Sequence, residues 1–127
     1  MNQYQIYKKA VSGVSLPAAF LDLDLFHQNI RELEKRADGM SIRVASKSVR
    51  CLGALKYLQE NLTGYCGIMA FGLDEAVHLA ESGFDNILLG YPGVQKKKLE
   101  AVAEQIAGGK EIILMVDLEE HLTAIAD

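Results

Sequence analysis

From residue 41 onward, short apolar runs alternate with amphipathic stretches, and the pairing recurs four times. The runs are "SIRVASK" (41–47), "GYCGIMAF" (64–71), "NILLGYP" (86–92) and "EIILMVD" (111–117). They read as buried strands, with Pro92 ending the third. Between them, apolar residues return at helical spacing. Leu52, Leu55, Leu58 and Leu62 share one side of a helix over 51–62. A second helix, "LDEAVHLAES", is opened by Asp74 or its neighbour and closed by Gly83. A third over 94–107 carries Leu99, Val102 and Ile106 and stops at Gly108 and Gly109. The run "LEEHLTAIAD" follows the fourth strand as a last helix.

Upstream the pattern differs. "SLPAAFLDLD" (15–24) alternates apolar and polar residues, which predicts a strand with Pro17 at its start. Asp24 then caps a helix in which Phe26, Ile30, Leu33 and Ala37 recur, and Gly39 stops it. The opening "MNQYQIYKKA" is polar, and residues 1–14 read as a flexible arm.

Four successive strand–helix units with apolar strands predict an α/β fold with a parallel sheet covered by helices. Two architectures satisfy that pattern. One is part of a (β/α)8 TIM-type barrel, which takes roughly 250 residues to close; the other is an open, doubly wound sheet. With 127 residues, the barrel reading makes 15–127 an N-terminal half, about four units long, with the C-terminal half absent. No GxGxxG or GxxxxGK[ST] follows any of the four strands, so neither a dinucleotide nor a nucleoside triphosphate is indicated.

Composition narrows the class. Half the residues are hydrophobic and 24% are charged, which suits a packed core. A net charge of −4 opposes a nucleic-acid or anionic-membrane surface. The basic run "QKKKLE" (95–100) has no interleaved aromatic residue and reads as a solvated helix face. No N-terminal apolar stretch is long enough for a signal peptide or a membrane span, so a cytoplasmic location is expected. Cys51 and Cys66 lack CxxC spacing and a nearby histidine, which predicts reduced thiols. His27, His78 and His121 are scattered without metal-ligand spacing, so no metal is expected.

One residue invites chemistry. Strand alternation sends Arg43, Ala45 and Lys47 to one face and Ile42, Val44 and Ser46 to the other. A lysine at the C-terminal end of a barrel strand lies where active sites of that fold form. Its amine condenses with an aldehyde only when unprotonated, and a second cation nearby, Arg50, would help to discharge it. The plain alternative is a lysine that ends a strand and reaches out to water. Phe71, Tyr91 and Asp117 end strands on the same rim. Tyr91 reads equally well as a ring packed on Pro92. Asp117 reads better as the cap of the last helix, and Glu75 as a first-turn carboxylate favoured by the helix dipole.

The stretch "RVASKSVR" (43–50) resembles the signature of the alanine-racemase-like, fold type III pyridoxal-phosphate enzymes, in the D-threonine aldolase and D-serine dehydratase branch. That signature has an arginine, a lysine four residues on and a second cation three further, here Arg43, Lys47 and Arg50. "LPAAFLDLDLFHQNI" is similar to the strand and helix that precede it in the family. "GIMAFGLDEAVHLAESGFDNILLGYP" is similar to the next two units, with Glu75, Ala76 and Gly83 in its core. The likeness runs from about residue 15 to 93 and is nearest the amino-acid deaminase and aldolase subgroup.

The resemblance implies a TIM-type barrel with a C-terminal β-domain, pyridoxal 5'-phosphate as cofactor, and an amino acid as substrate. The expected chemistry is that of a lyase, racemase or aldolase. Lys47 would bind the cofactor's aldehyde and act as acid and base at the substrate's α-carbon. Arg50 and, from its position alone, Tyr91 complete the candidate cofactor-binding set. Ala45 and Val49 stand where D-threonine aldolases commonly carry histidines. The metal ligands of those aldolases lie in the second domain, so none is assigned here. Two other readings stand beside this one: a pyridoxal-phosphate-binding barrel without catalysis, and an inactive remnant. A half barrel leaves its first and fourth strands as open edges, which predicts a homo-oligomer and little activity from the chain alone.

Overall fold

The computed structural model describes residues 2–126; Met1 and Asp127, the outer ends of the expected arm and last helix, lie outside the described residues. Four parallel strands carry the fold: β1 (Ile42–Ala45), β2 (Tyr65–Ala70), β3 (Ile87–Leu89) and β4 (Ile112–Ile113). Each lies beside its neighbour in sequence, in the order β1-β2-β3-β4. A doubly wound sheet reverses its strand order at a switch point, whereas a barrel wall does not. The chain is therefore one half of a barrel wall.

The register explains why one face is dry. Val44 stands beside Ile68, Ile68 beside Ile87 and Ile87 beside Ile112, a row of branched side chains on one face. Against it pack α3 (Leu52–Asn61), α4 (Leu73–Glu81) and α5 (Lys96–Ala107), through Leu55, Leu79 and Val102. Phe84, fully buried, seals the end of that layer. The opposite row is Ala45, Met69, Leu88 and Ile113, the face that a closed barrel turns inward. Nothing in the described residues covers it, and Ile113 remains 40% exposed.

One irregularity bends this wall. The β1–β2 register shifts between Ile42 and Val44, and Gly67 on β2 has φ +132°, a conformation L side chains rarely adopt. A Cβ at Gly67 would run into the Asn86 carbonyl oxygen and Arg43 Nη1. The space is taken by Arg43, whose guanidinium donates to the Asn86 carbonyl and, at 2.6 Å, to Asn86 Oδ1.

Several elements differ from expectation. Residues 15–22 form no strand, because β1 pairs only with β2 among the described residues and offers this segment no ladder. Phe20 and Leu21 are consequently exposed. The next helix, α2 (Leu23–Ala37), starts earlier than expected. Its cap is Asp22, whose Oδ1 accepts the Leu25 N–H at 3.1 Å, and Asp24 sits in its first turn. The segment read as a flexible arm contains helix α1 (Gln3–Ala10), opened by a capping box between Asn2 and Gln5. It buries no residue and meets the body through Tyr7, whose hydroxyl donates to Asp22. The fourth apolar run holds only the two residues of β4, followed by α6 (Glu119–Ala126). No helix among the described residues is long and apolar enough to cross a membrane.

Candidate active site

β1 ends at Ala45, and the chain turns at once through a single 3-10 turn, Ser46–Ser48. Lys47 is therefore the middle residue of that turn, two residues beyond the end of the strand that was expected to hold it. The Ser46 carbonyl closes the turn by accepting the N–H groups of Val49 at 3.0 Å and Arg50 at 2.8 Å. The Ser46 side chain is fully buried, and its hydroxyl lies 2.9 Å from Glu75 Oε1 and 3.0 Å from the Met69 carbonyl. A hydroxyl has one proton to donate, and the carboxylate is the stronger acceptor. Glu75 Oε2 accepts the Phe71 N–H at 2.6 Å. One carboxylate thus ties the lysine turn to the end of β2.

Lys47 overhangs a recess of about 140 Å³ at the C-terminal ends of the first three strands. Ala45, Met69 and Gly90 line its base, and Phe71 and Tyr91 form its walls. A Cβ at Gly90 would come within 3.1 Å of Met69 Sδ, so the missing side chain keeps that base open. The amine of Lys47 donates to Tyr91 Oη at 3.4 Å. It also lies 5.4 Å from the centre of the Tyr91 ring and 5.9 Å from that of Phe71. The two rings are tilted 54° with centres 4.9 Å apart. Cation–ring attraction at exposed sites is worth about 0.5–1 kcal/mol, enough to bias a long, flexible side chain towards this wall.

The structure brings Lys47, Tyr91 and Phe71 together. Tyr91 packs on Phe71 and turns its hydroxyl to the lysine, and it lines a second recess together with Pro92. Arg50 is not part of the group. Its φ of +48° turns the chain away after the 3-10 turn, and the residue lines a separate recess with Cys51, Leu55 and His78. The second cation expected beside Lys47 is thus absent from this recess, and the other arginine, Arg43, is engaged with Asn86. Asp117 lies outside the recess as well, with Oδ1 3.0 Å from His121 Nδ1.

The pairing of two residues escaped the sequence reading. Ser46 was correctly assigned to the covered face, and a buried hydroxyl must find an acceptor. That acceptor, Glu75, is 29 positions further along the chain, and no local pattern names it.

The family described as "Alanine racemase, N-terminal domain" matches residues 21–127. The 3-hydroxy-D-aspartate aldolase of Paracoccus denitrificans is 29% identical over 117 residues, which is 91% of this chain and 30% of that protein. Among solved structures, D-threonine aldolase from Filomicrobium marinum superimposes with a TM-score of 0.73 at 28% identity, covering 88% of this chain and 30% of that one. D-threo-3-hydroxyaspartate dehydratase from Delftia sp. HT23 does so at 0.77 and 26%, covering 90% and 30%. The chain spans about a third of the length of these relatives. With the half-barrel order of its strands and a match over most of its length, it belongs to the alanine racemase N-terminal-domain family of fold type III enzymes.

Proposed function

We propose that this chain is the lysine-bearing barrel half of a pyridoxal-phosphate-dependent amino-acid enzyme. The observation that carries the reading is the Lys47 amine, held beside Tyr91 over a recess at the strand ends. The lining suits the cofactor: an amine for its aldehyde, aromatic and thioether surface for a flat ring, and a glycine that adds no side chain to the recess. When bound, the cofactor supplies an electron sink for charge at a substrate's α-carbon.

The chain's own residues do the rest. Lys47 Nζ, as the free base, would be the nucleophile that holds the cofactor's aldehyde, and as a free amine it would move a proton at the substrate's α-carbon. Tyr91 Oη accepts from the charged amine and can donate to the neutral one, so it orients Lys47 in either state. Phe71 and Tyr91 exclude water from one side of the recess. The names of the relatives support a 3-hydroxy amino acid of D configuration as the substrate class.

The lining also favours a second reading, binding without turnover, since among the described residues Lys47 and Tyr91 are its only ionisable side chains. Incubation with pyridoxal phosphate, borohydride reduction and peptide mapping tests the shared step. The expected adduct is at Lys47; an adduct spread over Lys96, Lys97 and Lys98 instead would sink the proposal. Loss of a D-3-hydroxy amino acid from solution then separates turnover from binding alone.

A further inference from the structure

We infer that Ser46 and Glu75 are positioning residues for Lys47, a role that rests on the reading of Lys47 as the cofactor lysine. Lys47 is exposed and its four-carbon stem is flexible, so contacts at its tip alone leave it many orientations. The turn beneath it is fixed on both sides. Through its carbonyl, Ser46 closes the turn; through its hydroxyl, it anchors the turn to Glu75, which in turn holds the N–H of Phe71 just past β2. Ser46 is the one buried polar side chain among the described residues, and it immediately precedes Lys47 in the chain.

Glu75 reaches further. Its second oxygen holds the N–H of Phe71, whose ring is one wall of the recess. The same carboxylate therefore fixes the residue before the lysine and the backbone of the wall that the lysine faces. Hydrogen bonds to a carboxylate are stronger than those between neutral groups, and both of these span different elements. Without Glu75, the 3-10 turn and the β2 end lose their common fixed point, and the amine no longer has a set distance to its wall.

The test compares wild type, Glu75→Ala, Glu75→Gln, Ser46→Ala and a control, Asp85→Ala, which weakens a distant backbone link. Each full chain is reduced with borohydride in the presence of pyridoxal phosphate, and the Lys47 adduct is scored against the exposed Lys97. Glu75→Ala and Ser46→Ala should lower the Lys47 preference about tenfold, the scale of one or two hydrogen bonds. Glu75→Gln, whose amide oxygen can still accept, should stay within about threefold of wild type. Asp85→Ala should lower thermal stability and leave the preference intact.

Wild-type preference in both Glu75→Ala and Ser46→Ala overturns the inference, as does an equal loss in Asp85→Ala. Should Glu75→Ala fail to fold, Ser46→Ala, which removes a single oxygen, decides the matter. Reductive methylation with formaldehyde provides an arm without the cofactor. A wild type with no Lys47 adduct refutes the cofactor reading. The positioning role then stands only if Ser46→Ala changes the Lys47 methylation rate, relative to Lys97, by about threefold or more.

Discussion

Lys47 sits where strand alternation and strand length said a rim residue should be, yet its surroundings come from residues far along the chain. Tyr91 and Phe71 were legible because each ends an apolar run, and parallel strands bring such ends to one side. Arg50 lines a different recess from Lys47, and no spacing rule contains its φ of +48°. Replacing Tyr91 by Phe keeps the ring and removes the hydroxyl. The Lys47 adduct should then form about two- to fivefold more slowly, in line with one modest hydrogen bond; the measurement is a borohydride-trapped time course. Lys47→Ala should abolish the site-specific adduct, with the melting temperature little changed for an exposed side chain. A different glycine tests the fold. Gly67→Ala adds a side chain at φ +132° against Asn86 and Arg43, and urea unfolding should show a loss of about 3 kcal/mol or more.

The elements that the sequence fixes best are those whose partners are also local. α3, α4 and α5 each show an apolar stripe, and each packs on the strand row it accompanies. The alternating stretch at 15–24 misled because alternation describes a side-chain pattern, whereas a strand exists only by sharing backbone hydrogen bonds. The short β4 has the same cause on the far edge, where only β3 pairs with it. A side chain supports that edge: Asp85 Oδ1 accepts the N–H groups of Asn86 and Glu111, each at 2.8 Å. Those bonds hold the Asp85 carboxyl below the usual aspartate range. Its contribution is therefore present above the unfolded-state pKa and is lost as pH falls through the lower native value. Asp85→Ala should cost about 1 kcal/mol at neutral pH and flatten the acid limb of the stability curve, read from urea melts across pH.

At the scale of the whole molecule, one face of the sheet is packed and the other is open. Ile113, Met115 and Val116 remain 37–40% exposed along the uncovered side, and Phe20 and Leu21 add apolar surface near the other end. β1 and β4 each carry one unpaired edge among the described residues. Such surfaces associate. We propose that a second copy covers them. Sedimentation of the 127-residue chain should show a concentration-dependent dimer or larger species, and a stable monomer at high micromolar concentration would count against that proposal. Arg43 gives any such partner a particular shape to meet. Its guanidinium buttons β1 to Asn86, at the entry of β3, across the positive-φ glycine of β2, Gly67. A strand fastened to its second neighbour as well as its first cannot slide along the sheet, so its free edge offers one fixed set of backbone donors and acceptors.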